Sequence, residues 1–382
     1  PAERIEIVRE NAQQPLSADG IASLLAVGRE PSWAERVRGV GETLPIGIRK
    51  LEERFALAAK ASPAPEQCEA EPPAPLDAVA LETLVRDGES FRGRDLTRAK
   101  LSGADLRNLD LRGAILRGAT LTGARLEGAN LEGAVLAQAH ARDAKLDGAN
   151  LRRADFAYAE LSQASFRNAC VDRTSFARAA LERSVFDGAK GNGTSFVGAR
   201  MATVSADGAE LPKADFTDAL LTDASFRKAD LQEATFQETD ASSACFDDAR
   251  LRNARFELAS CRSASFERAD APGSTWDGAN LTAANLARAE LDGAVFGATT
   301  LASANLEAAR AENARFREAD LSGSNLRDAR LKGASFESAC LDGAVLERAN
   351  LGEANLTAAS LAGAKLDTAF VETAIPRRRP AR

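Results

Sequence analysis

The chain has 382 residues, a formal net charge of −7 and 45% hydrophobic residues. No apolar run is long enough for a membrane span or a signal peptide, so we expect a cytoplasmic protein. The five cysteines are scattered, without the close spacing of a metal site or a redox motif, which predicts free thiols. A single histidine, His140, leaves little room for catalysis by a histidine-containing triad.

The N-terminal part of the chain differs in composition from the rest. Residues 1–61 contain short helical patterns, and residues 62–75 form a linker rich in proline and glutamate. Residues 76–88 place apolar side chains at helical spacing. We expect this helix to cap the domain that follows. That domain consists of short sequence repeats, described below, and the open end of a stack of repeats exposes apolar side chains and unpaired strand edges. Since Pro1 is not a methionine, we also expect the chain to be part of a longer protein.

Residues 89–372 repeat every five positions without an insertion or a deletion. Leu or Phe occupies most of the central positions, and Ala lies two residues before most of them, as Ala99 does before Leu101. A helix needs a period of about 3.6 and a half-buried strand about 2, so a period of five fits neither. Five residues that make one short extended side and a corner would close a square coil after four repeats. Such coils would stack at the β spacing of about 4.8 Å.

The corners and the interior follow from the same repeat. Words such as LSGA and LEGA place glycine third in a four-residue turn, where a type II turn requires a positive φ. Arg, Ser or Glu at this place predicts a different turn. Phe recurs every ten residues from Phe156 to Phe266, except at Ala206, which predicts two facing aromatic columns inside a four-sided coil. The small central residues Gly191 and Ala206 predict a thin-walled or slightly bent coil between them.

The repeated words ADLRN, ANLEG, ADFAY and ADLSG resemble those of the pentapeptide-repeat proteins. The resemblance covers residues 89–372 and implies an all-β solenoid, a right-handed quadrilateral β-helix, which follows a small α-helical N-terminal segment. Function varies within this family, and the fold does not decide it. The stretches EIVREN and RKLEERFALAAK also resemble regions that precede such repeats in long bacterial proteins encoded near type VI secretion systems. That second resemblance implies a role in effector handling and loading.

The sequence contains no pattern typical of a catalytic, cofactor or metal site. His140 lies at a repeat position whose side chain points outward, and no nucleophile or phosphate-binding motif is present. We therefore expect no enzyme activity and no cofactor. We expect a scaffold or adaptor that binds a protein partner with the outer faces of a rigid rod. A secreted effector is the partner that the type VI resemblance implies.

Two charged clusters are the candidate partner-binding sites. The acidic belt, residues 205–248, has eleven acidic residues against three basic ones and would attract a basic partner. Its candidate residues are Asp215, Asp218, Asp223, Asp230, Glu233, Glu238, Asp240, Asp247 and Asp248. The basic cluster lies within residues 92–125, and its candidate residues are Arg92, Arg94, Arg98, Lys100 and Arg107. The alternative for both clusters is a solvated wall without a binding role.

A DNA mimic is the alternative function. Some pentapeptide-repeat proteins resemble B-DNA in size and charge and occupy the DNA-binding saddle of gyrase, so the resemblance implies gyrase or topoisomerase as an alternative partner. That role needs a strongly acidic rod, whereas the repeats are close to neutral and begin with the basic cluster. Only the acidic belt favours it. Direct binding of nucleic acid or of a membrane is not favoured.

The C-terminal end of the repeats has no evident cap. Residues 373–382 form a basic tail in which Pro376 and Pro380 disfavour a docking helix. We expect the last coil to be covered by a second copy, in a homodimer, or by a partner. Alternatively, the prolines and charges of the tail alone discourage edge-to-edge association.

Overall fold

The computed structural model describes residues 76–87 and 89–371. The predicted helical segment, the linker and the basic tail lie outside the described residues. The chain divides into two compact units, Pro1–Pro72 and Pro73–Arg382, and all described residues belong to the second.

A short helix, α1, precedes the repeats and spans Ala78–Arg86. The side chain of Asp77 caps its N-terminus by accepting a hydrogen bond from the backbone N–H of Ala80 at 2.8 Å. Leu81 of α1 is fully buried in the core of the repeats, and Asp77 forms a parallel bridge with Lys100 of the first coil. The helix therefore covers the N-terminal end of the solenoid. Among the described residues, no helix is long and apolar enough to span a membrane.

The repeats form stacked coils of 20 residues, because each bridge joins a residue to the residue 20 positions later, as Asp95 pairs with Ile115. The bridges are parallel and fall into four columns, one for each side of the coil. Side A carries the bridge residues 95 to 355, side B 100 to 360, side C 105 to 365 and side D 110 to 370. We name the corners between them the A–B, B–C, C–D and D–A edges. The described residues contain no strand longer than one bridge residue.

Every described corner has the same left-handed residue at its third position. Positive φ values recur every five residues from Gly93 to Thr368, and most of these residues are not glycine, for example Arg98 at 56°. The fourth residue donates its backbone N–H to the carbonyl of the first, as Ala99 does to Leu96 at 3.0 Å. These are type II turns, and their closing bond is present at every described corner except Gly191–Thr194. The expectation of another turn wherever Arg, Ser or Glu replaces glycine is therefore wrong, since bonds to the adjacent coils impose one geometry.

The Asp or Asn that often precedes the central residue completes the backbone hydrogen bonding. The coil-to-coil and corner bonds leave the N–H of the second corner residue without a backbone partner. Asp95 accepts this bond from Thr97 at 2.9 Å, and Asp155 accepts it from Ala157 at 2.9 Å. Elsewhere an Asp at the corner of the preceding coil accepts it instead, as Asp247 does from the N–H of Glu267 at 3.0 Å. The Asp and Asn of the repeat therefore have a structural role.

The interior contains the two facing aromatic columns that the sequence predicts. The side A column runs from Phe156 to Phe336, and neighbouring rings stack, for example Phe236 on Phe256 at 4.5 Å between centroids. The side C column runs from Phe166 to Phe266 and meets the first column edge to face. These rings are fully or almost fully buried, and most central residues of sides B and D are buried Leu. The interior of the coils is filled.

The coil at Gly191 is closely packed rather than thin-walled. A Cβ on Gly191 would lie 2.6 Å from Cγ2 of Val171 and 2.6 Å from the hydroxyl of Thr194. The side chains of these two neighbours therefore occupy the space that a larger central residue would fill. The backbone bond that closes every other described corner is missing between Gly191 and Thr194, which makes this the one irregular corner among the described residues.

Candidate partner-binding surface

The described residues contain no group of side chains that could hold a metal ion. Their charged side chains lie on the outer surface of the coils. His140 is half-exposed, as predicted, and its Nδ1 lies 3.0 Å from a carboxylate oxygen of Glu160. The hydrogen bond from His140 lowers the pKa of Glu160. The contact is an exposed polar pair on side B.

The four described cysteines are free, as the sequence predicts. Cys261 replaces a central residue of side B and is fully buried, whereas Cys170, Cys245 and Cys340 are half-buried at bridge positions. Burial raises the pKa of the Cys170, Cys245 and Cys261 thiols. These thiols have the character of small packing groups rather than of reactive nucleophiles.

The acidic belt surrounds the rod instead of forming one patch. The column positions place Asp215 on side A, Asp230 on side D and Asp240 on side B. The corner residues Asp218 and Glu238 lie together on the A–B edge, one coil apart. The other corner residues are spread over three edges: Asp223 on the B–C edge, Asp247 and Asp248 on the C–D edge, and Glu233 on the D–A edge.

Four of the nine candidate carboxylates of the belt complete the backbone hydrogen bonding of the coils. Asp215 accepts from the N–H of Thr217 at 3.0 Å, and Asp247 accepts from Glu267 at 3.0 Å. Asp230 and Asp240 accept in the same way, from the residues two positions later. These carboxylates stabilise corners and are poorly available to a partner.

Two further belt carboxylates lie in ion pairs between coils. Asp248 accepts two bonds from the guanidinium of Arg268, at 2.8 and 3.0 Å, and this pairing lowers the pKa of Asp248. Glu233 lies 3.5 Å from Nζ of Lys213. The remaining three candidate carboxylates, Asp218, Asp223 and Glu238, make no side-chain hydrogen bond or ion pair within the described part of the chain. All three are corner residues with positive φ.

The basic cluster separates in the same way. Arg107 binds Asp105 through two parallel contacts, of which Nε to Oδ1 measures 2.7 Å. Arg94 replaces the inward Ala, and its guanidinium lies 5.6 Å from the ring centroid of Phe91. Arg92, Arg98 and Lys100 have side chains without a hydrogen bond or ion pair to described residues. Arg92 lies on the D–A edge, whereas Arg98 and Lys100 lie on the A–B edge and side B.

Three of the six unpaired charges of the two clusters, Arg98, Asp218 and Glu238, lie on one edge of the rod. Arg98 lies near the N-terminal end of the A–B edge, and Asp218 and Glu238 lie further along it. Sequence reasoning missed the large apolar side chains on this edge, Tyr158 and Leu258, which are 53% and 61% exposed. A signal was present, because both occupy the third corner position, where glycine and polar residues are usual.

The comparisons with known proteins agree with the coil geometry. Pentapeptide repeats match more than half of the chain, in eight copies over residues 95–133, 134–171, 204–237, 219–257, 259–297, 301–337 and 339–372. A search of the curated proteins found no match.

Solved structures of pentapeptide-repeat proteins are similar to part of the chain. HetL from the cyanobacterium Nostoc sp. strain PCC 7120, which is involved in the regulation of heterocyst differentiation, is 27% identical, with 56% of this chain and 89% of HetL covered and a TM-score of 0.25. QnrB1, a plasmid-mediated fluoroquinolone resistance protein, is 20% identical, with 54% of this chain and 92% of QnrB1 covered and a TM-score of 0.18. The match of the repeats over most of the coils shows that this chain belongs to the pentapeptide-repeat family.

Proposed function

We propose that this protein is a non-catalytic scaffold that binds a protein partner on the outer surface of its coils. The observation that carries the proposal is the filled interior, in which rings such as Phe216 and Phe236 stack at 4.7 Å. An interior without room for a ligand leaves the outer faces and the ends of the solenoid for binding. The unpaired carboxylates of the acidic belt and the unpaired side chains of the basic cluster are the candidate contacts.

The partner that we propose is a secreted effector handled by a bacterial secretion system. The support is the resemblance of the N-terminal stretches, which lie outside the described residues. Affinity capture with the full chain from a bacterial lysate tests the scaffold role. We expect one protein to be retained in stoichiometric amount, and less of it by a variant with Asp218→Asn, Asp223→Asn and Glu238→Gln. Failure to retain any protein from cells grown under several conditions would contradict the role.

Binding to gyrase is the second candidate function. The acidic belt favours it, because its unpaired carboxylates Asp218 and Asp223 lie on two different edges of the rod. A supercoiling assay with titrated protein distinguishes the two functions. Inhibition at a stoichiometric ratio to gyrase would favour mimicry, and unchanged supercoiling at a large excess would exclude it.

We also propose that two copies associate through the C-terminal coil. Its outermost apolar side chains Leu366, Phe370 and Val371 are 37%, 51% and 49% exposed among the described residues. Burying such side chains would stabilise the association. Size-exclusion chromatography with light scattering should give a dimer for the full chain and a monomer for a Leu366→Asp variant. A monomer for both would contradict the proposal.

A further inference from the structure

The exposed apolar side chains of the coils that precede the last one lie on one side of the rod. Between residues 91 and 365, the exposed large apolar residues are Ile115, Tyr158, Leu220 and Leu258. Ile115 belongs to side A and Leu220 to side B, while Tyr158 and Leu258 lie on the A–B edge between them. Within this range, sides C and D carry none. Such one-sidedness is typical of an interaction surface rather than of scattered apolar residues.

Two of these side chains occupy corners that disfavour them. Tyr158 and Leu258 have φ values of 59° and 61°, in the left-handed region that favours glycine and asparagine. Neither gains burial in return, since both are more than half exposed. Large apolar residues held in an unfavourable backbone conformation without a packing benefit point to a role outside the coil.

Tyr158 is held in a defined orientation. Arg178, one coil further along the edge, donates a hydrogen bond from Nη1 to the Tyr158 hydroxyl at 3.1 Å, and its guanidinium lies 5.8 Å from the ring centroid. The next residue along the edge after Arg178 is Gly198, which has no side chain. A groove lies here, lined by Val197, Gly198 and Asp218 together with Tyr158 and Arg178. A rigid aromatic anchor beside a groove resembles the binding hot spots of protein interfaces, which are rich in Tyr and Arg.

Leu258 forms the second anchor of the edge. Its Cδ2 would lie 2.9 Å from a Cβ on Gly278, so the leucine leans over the next corner. Gly297 and Ala298 continue a groove as far as Arg317 and Glu318. The two anchors are five coils apart, which is about 24 Å at the β spacing.

The charge between the two anchors is negative. Asp218 and Glu238 occupy the edge between Arg178 and Leu258, and their carboxylates have no partner among the described residues. Leu220 lies beside them in the column of side B, between Arg200 and Asp240. Arg200 is already paired, with its Nε 2.8 Å from Glu182. A partner that covers this stretch must therefore supply cations for two carboxylates.

We propose that the A–B edge from Tyr158 to Leu258 is the docking surface for a basic, amphipathic segment of a partner protein. Apolar side chains of the segment pack on Tyr158, Leu220 and Leu258, and its Lys or Arg side chains pair with Asp218 and Glu238. A helix of about 16 residues would span the distance between the anchors. This inference rests on the proposed scaffold function and specifies the surface and the chemistry of its partner.

Random 16-residue peptides displayed on phage and selected on the full chain are the probe. The most enriched peptide is then labelled and titrated by fluorescence anisotropy. We expect apolar peptides with net positive charge, and a Kd at least tenfold weaker for the variant Tyr158→Gly/Leu258→Gly. Glycine suits both corners, so this variant should keep its fold. Asp218→Asn/Glu238→Gln should weaken binding several-fold and reduce its dependence on salt.

The matched control is Arg153→Gly/Asn253→Gly. Both residues are third corner residues on the D–A edge, five coils apart like the two anchors, and they should leave binding unchanged. The inference is wrong if no peptide is selected, if the peptides lack basic residues, or if they bind Tyr158→Gly/Leu258→Gly as tightly as the unaltered chain. It is also wrong if sedimentation detects a dimer that this variant loses, because the occupant would then be a second copy. A captured partner that this variant still retains would refute this surface but not the scaffold function.

Discussion

The side-chain oxygen of Asn108 lies above Gly128, one coil further along the C–D edge, where a Cβ would come within 2.5 Å of it. The same contact recurs at Asn168 and Gly188, Asn253 and Gly273, and Asn313 and Gly333. Each described asparagine in a left-handed corner is thus followed 20 residues later by glycine. The asparagine and the glycine of adjacent coils are coupled through space.

We therefore predict that Gly128→Ala destabilises the protein more than Gly133→Ala. Both alanines would occupy a left-handed corner, which lowers the free energy of unfolding by about 1–2 kcal/mol each. Only the Cβ at position 128 meets a neighbour, since a Cβ at Gly133 has nothing within 4 Å. Urea unfolding followed by circular dichroism measures the difference. Adding Asn108→Gly to Gly128→Ala should recover part of the loss, and equal midpoints for the two single variants would contradict the coupling.

Ser274 should contribute more to stability than Ser324, although the two occupy the same place in the repeat. Each donates its hydroxyl to the carbonyl three residues earlier at 2.7 Å. Only Ser274 also accepts a bond, from the indole N–H of the buried Trp276 at 2.7 Å. We expect Ser274→Ala to cost about 1–3 kcal/mol, because the indole loses its partner, and Ser324→Ala to have a smaller effect. Thermal unfolding of both variants tests this prediction, and equal losses of stability would contradict it.

Gly191→Ala should destabilise the irregular corner through steric contact alone. The new methyl group would lie 2.6 Å from Cγ2 of Val171, and overpacking of this kind costs about 1–3 kcal/mol. Val171→Ala removes one of the contacting atoms and leaves the Thr194 hydroxyl at 2.6 Å, so the double variant should regain part of the loss and be more stable than the sum of the two single changes predicts. A double-mutant cycle by urea unfolding measures this coupling. Strict additivity would show that the contact is relieved in another way.

Sequence reasoning recovered the coil and its core because both depend on the period. A repeat of five residues with Phe at every tenth position leaves one economical arrangement, in which columns such as Phe236 and Phe256 stack. It failed at the corners because it treated the local preference of each residue separately. Arg98 adopts φ 56° because the hydrogen bonds to the adjacent coil impose this geometry on an unfavourable residue.

The candidate surface was only partly predictable from composition. The eleven carboxylates of the belt look alike in the sequence, but their places in the repeat divide them into roles. Asp215, before a central residue, accepts the bond of a corner N–H, whereas Asp218, at the third corner position, points away from the coil. Assigning each residue to its repeat position before counting charges would have separated the two.

Cys261 should resist alkylation in the folded protein. It is fully buried, and burial raises the pKa of its thiol, which lowers the fraction of reactive thiolate. Cys170, Cys245 and Cys340 are half-buried and should react with iodoacetamide before Cys261 does. Mass spectrometry of peptides from native and urea-unfolded samples measures the four rates. Reaction of Cys261 at the rate of its neighbours in the native sample would show that this coil opens.

Acid should remove the contribution of the Asp105–Arg107 pair to stability. The hydrogen bond from Arg107 lowers the pKa of Asp105 from 3.8 to about 2. A carboxyl group whose pKa is depressed in the folded state stabilises it above the unfolded value of about 4, and this contribution is lost as the pH falls to about 2. Carbon-detected NMR titration of Asp105 should give its midpoint near the lower value. Arg107→Ala should return it toward 3.8, and a midpoint that does not move would refute the cause.

Because each side of a coil carries a single bridge residue, insertions and deletions must have certain lengths to preserve the stacking of the coils. An insertion of five residues would still form one side and one corner of a coil. All residues that follow the insertion would, however, be rotated by a quarter turn about the axis of the solenoid. If such an insertion lay between Tyr158 and Leu258, the two side chains would lie on different edges of the rod. Only whole coils can be gained or lost without scrambling the alignment of distant surface residues. Protein engineers can exploit this by inserting 20 residues to lengthen the edge, or five to rotate one half against the other.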